Sequence, residues 1–194
     1  MKIILASKSG VRKQILDKHD IDNEVIVSNV DEDEIKESLL AEGANPLTIS
    51  KNLAEIKSIK VSNKQPNRIV LGADSVIALN EELINKPNSR EEAFEILKRL
   101  NNSKHYLISS VCISKNGAMI WNHTESSELK MKNLTNEELL LYLSKIKTKT
   151  LLAYGVYQIE AEGLELFEYV EGDMDSIMGL PVKEIKSYIE QFKK

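Results

Sequence analysis

Ile69-Val70-Leu71-Gly72-Ala73-Asp74-Ser75-Val76-Ile77-Ala78-Leu79, followed after a short polar gap by Asn85-Lys86-Pro87, is the stretch whose reading decides the fold. Aliphatic residues on both sides of Gly72 mark a strand in a sheet covered on both faces. Asp74 stands in the middle of it. A carboxylate taken out of water costs several kcal/mol unless a cation, a metal or a set of donors compensates it, so its placement needs a reason. The alternative is a strand ending at Leu71, with 72–75 as a turn that Asp74 caps in solvent. Beyond the strand, Asn80-Glu81-Glu82 makes a turn and Leu83-Ile84 returns toward Lys86-Pro87. That hairpin brings Lys86 back near Asp74, where the two can share a phosphate-metal site; the plainer reading leaves Lys86 in a solvated loop.

Toward the N-terminus, Ile3-Ile4-Leu5-Ala6 is a short strand and Ser7-Lys8-Ser9-Gly10 a turn. Val11, Ile15 and Leu16 then have helical spacing, with Ser9 available as N-cap. A strand passing through a small-residue turn into a helix presents free backbone N–H groups that favour an anion. Arg12 and Lys13 stand in that first turn, where the helix dipole least favours cations, and either mark an anionic guest or lie on an exposed face. A second strand is expected over 25–30. It leads into Asp31-Glu32-Asp33-Glu34, a solvated loop or helix start that can also offer Mg²⁺ the hard carboxylate oxygens it takes together with substrate phosphates. Residues 46–62 read as a helix whose apolar stripe is Ile49, Leu53 and Ile56, widened by Ala54 and Val61. Lys57 and Lys60 fall within that broad face, and periodicity does not choose which of them snorkels to the edge and which meets a fixed anion.

Further on, Ser89 with Glu92 predicts a capping box for a helix carrying Ala93, Phe94, Ile96, Leu97 and Leu100. Residues 105–114 read as a strand opened by His105, a lone histidine suited to a structural hydrogen bond, and Asn116-Gly117 as a hairpin turn into 118–121. His123 has no partner at zinc-ligand spacing. Thr135 with Glu138 predicts a second capping box. In 155–163, Tyr157, Ile159 and Ala161 alternate with Gln158 and Glu160, the pattern of a strand with one polar face. A strand over 164–170, a turn at Gly172-Asp173 and a last helix opened by Gly179-Leu180-Pro181, with Val182, Ile185, Ile189 and Phe192 toward the core, complete the chain.

With 194 residues, 42% of them hydrophobic, the chain can bury a full core as one domain, or as one domain with two lobes. A net charge of −4 argues against a protein that coats nucleic acid. Cys112 is the single cysteine, expected as a packed thiol in a reducing compartment. Lys2 precedes too short an apolar run for a signal peptide, and no run approaches the roughly 20 residues of a bilayer span. The expectation is a soluble, cytoplasmic chain with no membrane partner. Strands and helices alternate without strict βαβ periodicity, which predicts an α/β fold with a mixed twisted sheet flanked by helices.

Taken together, these stretches resemble the Maf family of nucleoside triphosphate pyrophosphatases, relatives in fold of the inosine-triphosphate pyrophosphatases. Leu5-Ala6-Ser7-Lys8-Ser9 with Arg12 is similar to the family's L-A-S-x-S-P-R-R signature, Asp31-Glu32 to its D-E pair and Leu53-Ala54-Glu55-Ile56-Lys57 to its L-A-x-x-K. Gly72-Ala73-Asp74-Ser75 resembles G-A-D-T, and Lys86-Pro87 the end of G-K-P. His105, Tyr157 with Ile159, and Gly172-Asp173 before Gly179-Leu180-Pro181 complete the order, from Leu5 to Pro181.

The resemblance implies a single Maf-like domain over 1–194, with two lobes around a central cleft. It implies hydrolysis of a nucleoside triphosphate, standard, modified or methylated, to the monophosphate and pyrophosphate, a house-cleaning role in the nucleotide pool. Asp74 is then the catalytic carboxylate, as proton acceptor or metal ligand for the attacking water; Ser9, Arg12, Lys57 and Lys86 hold phosphates; and Glu32 joins Asp74 at a divalent Mg²⁺ or Mn²⁺. Homodimers are common in the family. The resemblance also supplies an alternative, a nucleotide-binding regulator of septum formation without significant turnover. Departures fall at Gly10, Val11, Ser75, Asn85, Glu160 and Ala161. The positions of Val11, Ser75 and Glu160 are linked in the family to selection of the base. Glu160 resembles the branch that takes methylated guanine nucleotides, where an acid accepts hydrogen bonds from the guanine N–H edge, whereas Val11 and Ser75 match neither branch.

Overall fold

A computed structural model describes residues 1–159 and 161–193. Its elements, in chain order, are β1 (Ile3–Leu5), α1 (Gly10–Lys18), β2 (Asn23–Val25), α2 (Glu32–Ala41), α3 (Pro46–Ser62), β3 (Val70–Leu79), β4 (Glu82–Ile84), α4 (Arg90–Leu100), β5 (Lys104–Lys115), β6 (Ala118–Met131), α5 (Asn136–Lys145), α6 (Thr148–Tyr154), β7 (Phe167–Glu171), α7 (Met174–Ile177) and α8 (Val182–Glu190). They build one seven-stranded sheet in the order β2-β1-β3-β5-β6-β7, with β4 also on β3. β1 runs parallel to β2 and β3, and the remaining pairs are antiparallel, so the sheet is mixed.

The two edges of β3 differ, and the difference makes the site. On one edge β5 pairs continuously from Val70 to Ala78. On the other, β1 pairs with Val70 and Leu71 and β4 with Ile77, Ala78 and Leu79. Between them, residues 72–76 have no strand beside them among the described residues, and the backbone groups there turn to other partners. Asp74 sits in this gap. The alternative of a turn at 72–75 is excluded, because Asp74 lies mid-strand and is 4% exposed.

Strand alternation assigns the faces. Leu71 and Ala73 pack with Ile3 and Leu5 under α1 and α8, through Ile15, Leu16 and Ile185. Val70 lies on the opposite face with Ile4, against Val61 of α3. A second large cluster gathers α4 and α5 over the far half of the sheet, through Leu97, Leu100, Leu139 and Leu143. Asp74 and Gly72 therefore face α3. A Cβ at Gly72 would lie 2.1 Å from the Ala54 carbonyl oxygen and 2.7 Å from the Ser58 nitrogen. Glycine here, with the small buried Ser50, Ala54 and Ser58 on α3, lets helix and strand backbones approach closely.

Several expectations need correction. The strand expected over 25–30 ends at Val25: after the Ile26 N–H bonds the Leu5 carbonyl, the chain leaves the sheet edge. No strand forms among the described residues of 155–163. Gly155 has φ +100°, and the Gln158 carbonyl accepts from both Ala161 and Gly163, which folds the segment into a turn. The strand expected over 164–170 begins only at Phe167, after a 3₁₀ turn over Glu162–Leu166. β6 continues to Met131, well past 121. Phe192 is 46% exposed instead of facing the core. Ser89 caps α4, but the Glu92 carboxylate accepts from Asn88 N–H, so no reciprocal box closes there; the box at Thr135 and Glu138 does close. Cys112 is buried and its thiol accepts a hydrogen bond from Ser58. Among the described residues no helix is long and apolar enough to cross a membrane.

Candidate active site

α1 starts at Gly10 with Ser9 as its N-cap, the Ser9 hydroxyl accepting from the Arg12 N–H at 3.4 Å. This orients Arg12 across the chain toward the gap in β3. Its Nη1 donates to the Ala73 carbonyl at 3.0 Å, its Nε to the Gly179 carbonyl at 2.9 Å and its Nη2 to Ser75 Oγ at 3.1 Å. The guanidinium thus satisfies an edge carbonyl of β3 and ties α1, β3 and the turn after α7 together. Burial lowers its pKa from the usual value, against the attraction of Asp74 and Glu32, and an arginine stays charged under such a shift. Lys13 turns away and pairs with Asp17. Ser75 Oγ also lies 2.9 Å from Ser109 Oγ, its partner across the β3–β5 ladder.

On the α3 side the ambiguity between Lys57 and Lys60 resolves. Lys57 is buried, with its Nζ 2.7 Å from Asp74 Oδ1 and 2.8 Å from Glu32 Oε1. Lys60 is exposed and donates to the Asn29 carbonyl. Glu32 comes from the first turn of α2, a helix capped by Asp31, whose side chain accepts from Glu34 N–H; the acidic run is a helix start. Glu32 titrates below the usual carboxylate range. Burial pushes it up, and Lys57, with Lys86 and Lys36 behind it, more than offsets that. Asp74 Oδ2 is buried and has no hydrogen-bond partner among the described residues, while the Asp74 carbonyl accepts from Ser50.

Lys86 follows β4, whose Ile84 pairs with Ile77 of β3, and lines the same cleft as Asp74. Its ammonium is pushed below the usual lysine value by desolvation and by the nearby cations Lys36 and Arg12, against the pull of Glu32 and Asp74. The cleft, about 1020 Å³, takes in Ser9, Arg12, Glu32, Lys57, Asp74 and Lys86. Val11 and Ser75 line it as well; Glu160 lies outside the described residues. His105 is buried at the start of β5, its Nε2 2.9 Å from the hydroxyl of Tyr157, a residue of the cleft wall. Burial drives the His105 pKa down to about 4, so a neutral ring supports that wall.

Sequence reasoning missed Ser50, Ser109 and Lys36. For Lys36 a signal existed, since it lies one helical turn from Glu32 on the same face. Among the described residues no group of three His, Cys, Asp or Glu is placed to hold a metal ion; at the cleft, Asp74 and Glu32 share Lys57.

A mixed α/β sheet whose central strand is unpaired along one edge at 72–76, opening a cleft lined by basic and acidic side chains over a buried carboxylate, defines the class. The chain belongs to the Maf-like protein family, whose model matches residues 2–192. It is 61% identical over 192 residues, 99% of this chain and 98% of the relative, to the "Nucleoside triphosphate pyrophosphatase" of Pelagibacter ubique (strain HTCC1062). It is 36% identical to the protein of that name from Ruegeria pomeroyi (strain ATCC 700808 / DSM 15171 / DSS-3), covering 96% of this chain and 94% of the relative. A "7-methyl-GTP pyrophosphatase" of Brucella abortus biovar 1 (strain 9-941) is 31% identical, covering 100% of this chain and 97% of the relative. Among solved structures, a Staphylococcus aureus Ham1 protein aligns with a TM-score of 0.40 and 18% identity over 69% of this chain and 73% of its own.

Proposed function

We propose that this chain is a nucleoside triphosphate pyrophosphatase, hydrolysing its substrate between the α- and β-phosphates to a nucleoside monophosphate and pyrophosphate. The observation that carries the reading is Asp74: a carboxylate 4% exposed, with one oxygen on Lys57 and the other without a partner among the described residues, at the wall of a cleft that also takes in Arg12, Lys36 and Lys86. Burying such a charge is costly, and a role in proton transfer accounts for it. Water attacks the α-phosphorus, the bond to the bridging oxygen breaks, pyrophosphate departs with the electron pair, and Asp74 accepts the proton from water. Ser9, Arg12 and Lys86 hold the phosphates, and Lys57 steadies Asp74 and Glu32 between which it lies. Positive groups fixed around the chain of phosphates stabilise the charge that develops there.

A divalent cation, Mg²⁺ or Mn²⁺, belongs to this reading. The partnerless oxygen of Asp74 and the nearby Glu32 fit it, because Mg²⁺ binds through one or two carboxylates together with substrate phosphates and needs no all-protein cage. When bound, it offsets phosphate charge and lowers the pKa of a coordinated water. Val11 and Ser75, with Glu160, select the base. The reading also puts the enzyme in the cytoplasm and takes it to be a homodimer.

The test is pyrophosphate release from standard and methylated nucleoside triphosphates with Mg²⁺ or Mn²⁺, comparing wild type with Asp74→Asn. The expected result is metal-dependent turnover that falls about 10²- to 10⁴-fold in the variant, the usual weight of a general base. A well-folded wild type that turns over none of the panel refutes the proposal.

A further inference from the structure

α2 buries none of its residues fully, yet the side chain of Lys36 on it is only 13% exposed. Glu32, Lys36 and Leu40 follow one another at four-residue spacing, share one helix face and line the cleft. The ion pair that Lys36 makes is with Asp33, at 3.9 Å, and the Asp33 side chain is 92% exposed. A contact that long to a solvated carboxylate carries little energy, so it does not account for holding an ammonium in the cleft.

The other cations of the cleft are committed differently. Arg12 donates to the carbonyls of Ala73 and Gly179 and to Ser7 and Ser75, which fixes it at the α1 end with one N–H left for a phosphate; Lys57 is paired with Asp74 and Glu32; and Lys8 is exposed at the rim. Lys86 remains, and Lys36 lies close enough to repel it. Glu32 attracts both ammonium groups, but it is already paired with Lys57 at 2.8 Å, so the two still repel each other, and an anion carrying several charges between them makes the arrangement favourable. The side of the cleft on which they stand also matters. Val11, Met178 and Gly179 gather with Arg12 and Ser75 at the α1 end, where apolar surface suits a nucleoside. Lys36 and Lys86 are within electrostatic reach of Glu32, which meets Asp74 through Lys57 on the α3 side of the sheet.

We propose that Lys36, with Lys86, binds the pyrophosphate half of the substrate, the β- and γ-phosphates that leave together. The inference rests on the pyrophosphatase reading and deepens it, since it names which phosphates the α2 face meets. Lys36 is then a binding residue for the leaving group, and α2 a wall of the site as well as the carrier of Glu32.

The test separates this inference from the reaction itself. Inorganic pyrophosphate and a nucleoside monophosphate are titrated calorimetrically into wild type, Lys36→Gln, Lys36→Arg and, as a control on the β5 surface, Lys115→Gln, with magnesium chloride in the buffer. A charge-assisted hydrogen bond lost from a shielded site weakens binding about tenfold or more. Lys36→Gln is therefore expected to lose about tenfold in pyrophosphate affinity, with monophosphate affinity unchanged, Lys36→Arg to recover most of it, and Lys115→Gln to match wild type. Pyrophosphate affinity of Lys36→Gln within twofold of wild type overturns the inference, as does equal weakening for both ligands or a wild type that does not bind pyrophosphate. Because binding is read directly, a wild type that binds pyrophosphate but turns over no triphosphate refutes the reaction while Lys36 is still decided.

Discussion

Replacing Lys57 with methionine keeps the length of the side chain and removes its charge. In the native protein the Lys57 and Asp74 side chains are each 6% exposed and the ammonium touches both Asp74 and Glu32, whose side chain is 31% exposed. Without the ammonium, Glu32 turns toward water, but Asp74 is held on β3 beneath α3 and stays buried. Breaking a buried ion pair from one side costs about 3–5 kcal/mol, because it strands the other charge. At roughly 2–4 °C per kcal/mol for a domain of this size, the melting midpoint falls by on the order of 10 °C. The double variant Lys57→Met/Asp74→Asn no longer buries a lone charge, and recovers much of that loss although it lacks both native partners. Thermal melts of wild type, the two single variants and the double give the coupling directly. A Lys57→Met protein that melts within about 2 °C of wild type, or a double variant less stable than Lys57→Met, would show that Asp74 is not stabilised as argued.

Three further outcomes are expected. Gly72→Ala forces a methyl into the α3 backbone, 2.1 Å from the Ala54 oxygen; it destabilises by on the order of 1–3 kcal/mol as an overpacking change, read by denaturant titration, and shifts α3 and with it Lys57. His105 binds its proton less tightly folded than unfolded, so between its usual 6.5 and about 4 the unfolded state carries the extra proton. Its contribution is complete above about pH 6.5 and is lost as pH falls toward 4, by roughly 3 kcal/mol; melts across that window should flatten in His105→Gln relative to wild type. Arg12→Lys loses the planar fork on Ala73, Gly179 and Ser75 and leaves carbonyls without donors, for about 1–3 kcal/mol of stability. Its KM for the triphosphate rises, measured by pyrophosphate release.

Much of the architecture was legible because it rests on local periodicity. β3 reads from its aliphatic run, α3 from its apolar stripe, and α1 from Ser9, since caps and apolar spacing act over a few residues. The segment 155–163 misled because alternation of Tyr157, Ile159 and Ala161 is the strand signal, yet those positions are buried or exposed by a turn closed on the Gln158 carbonyl. Alternating side-chain polarity does not by itself require a ladder. Residues 25–30 failed for a related reason: an apolar stretch at a sheet edge pairs only as far as its neighbour extends, and β1 ends at Leu5.

The sequence by itself determined the class of fold and the order of the residues that meet at the cleft, because element type follows from side-chain spacing and from the turn and cap chemistry of each segment. It put a carboxylate in an aliphatic run, as strand or as turn, and two lysines on a helix face, but left open which lysine compensates it. Only the tertiary structure decided that Lys57 takes Asp74 and Glu32 while Lys60 goes to the surface. It alone showed that the edge of β3 is open at 72–76, that Ser109 stands opposite Ser75 and that Lys36 turns into the cleft. The physical reason is that strand register and helix-to-sheet distance are set by packing between segments far apart in the chain, and a charge finds its partner only where that packing brings the two together.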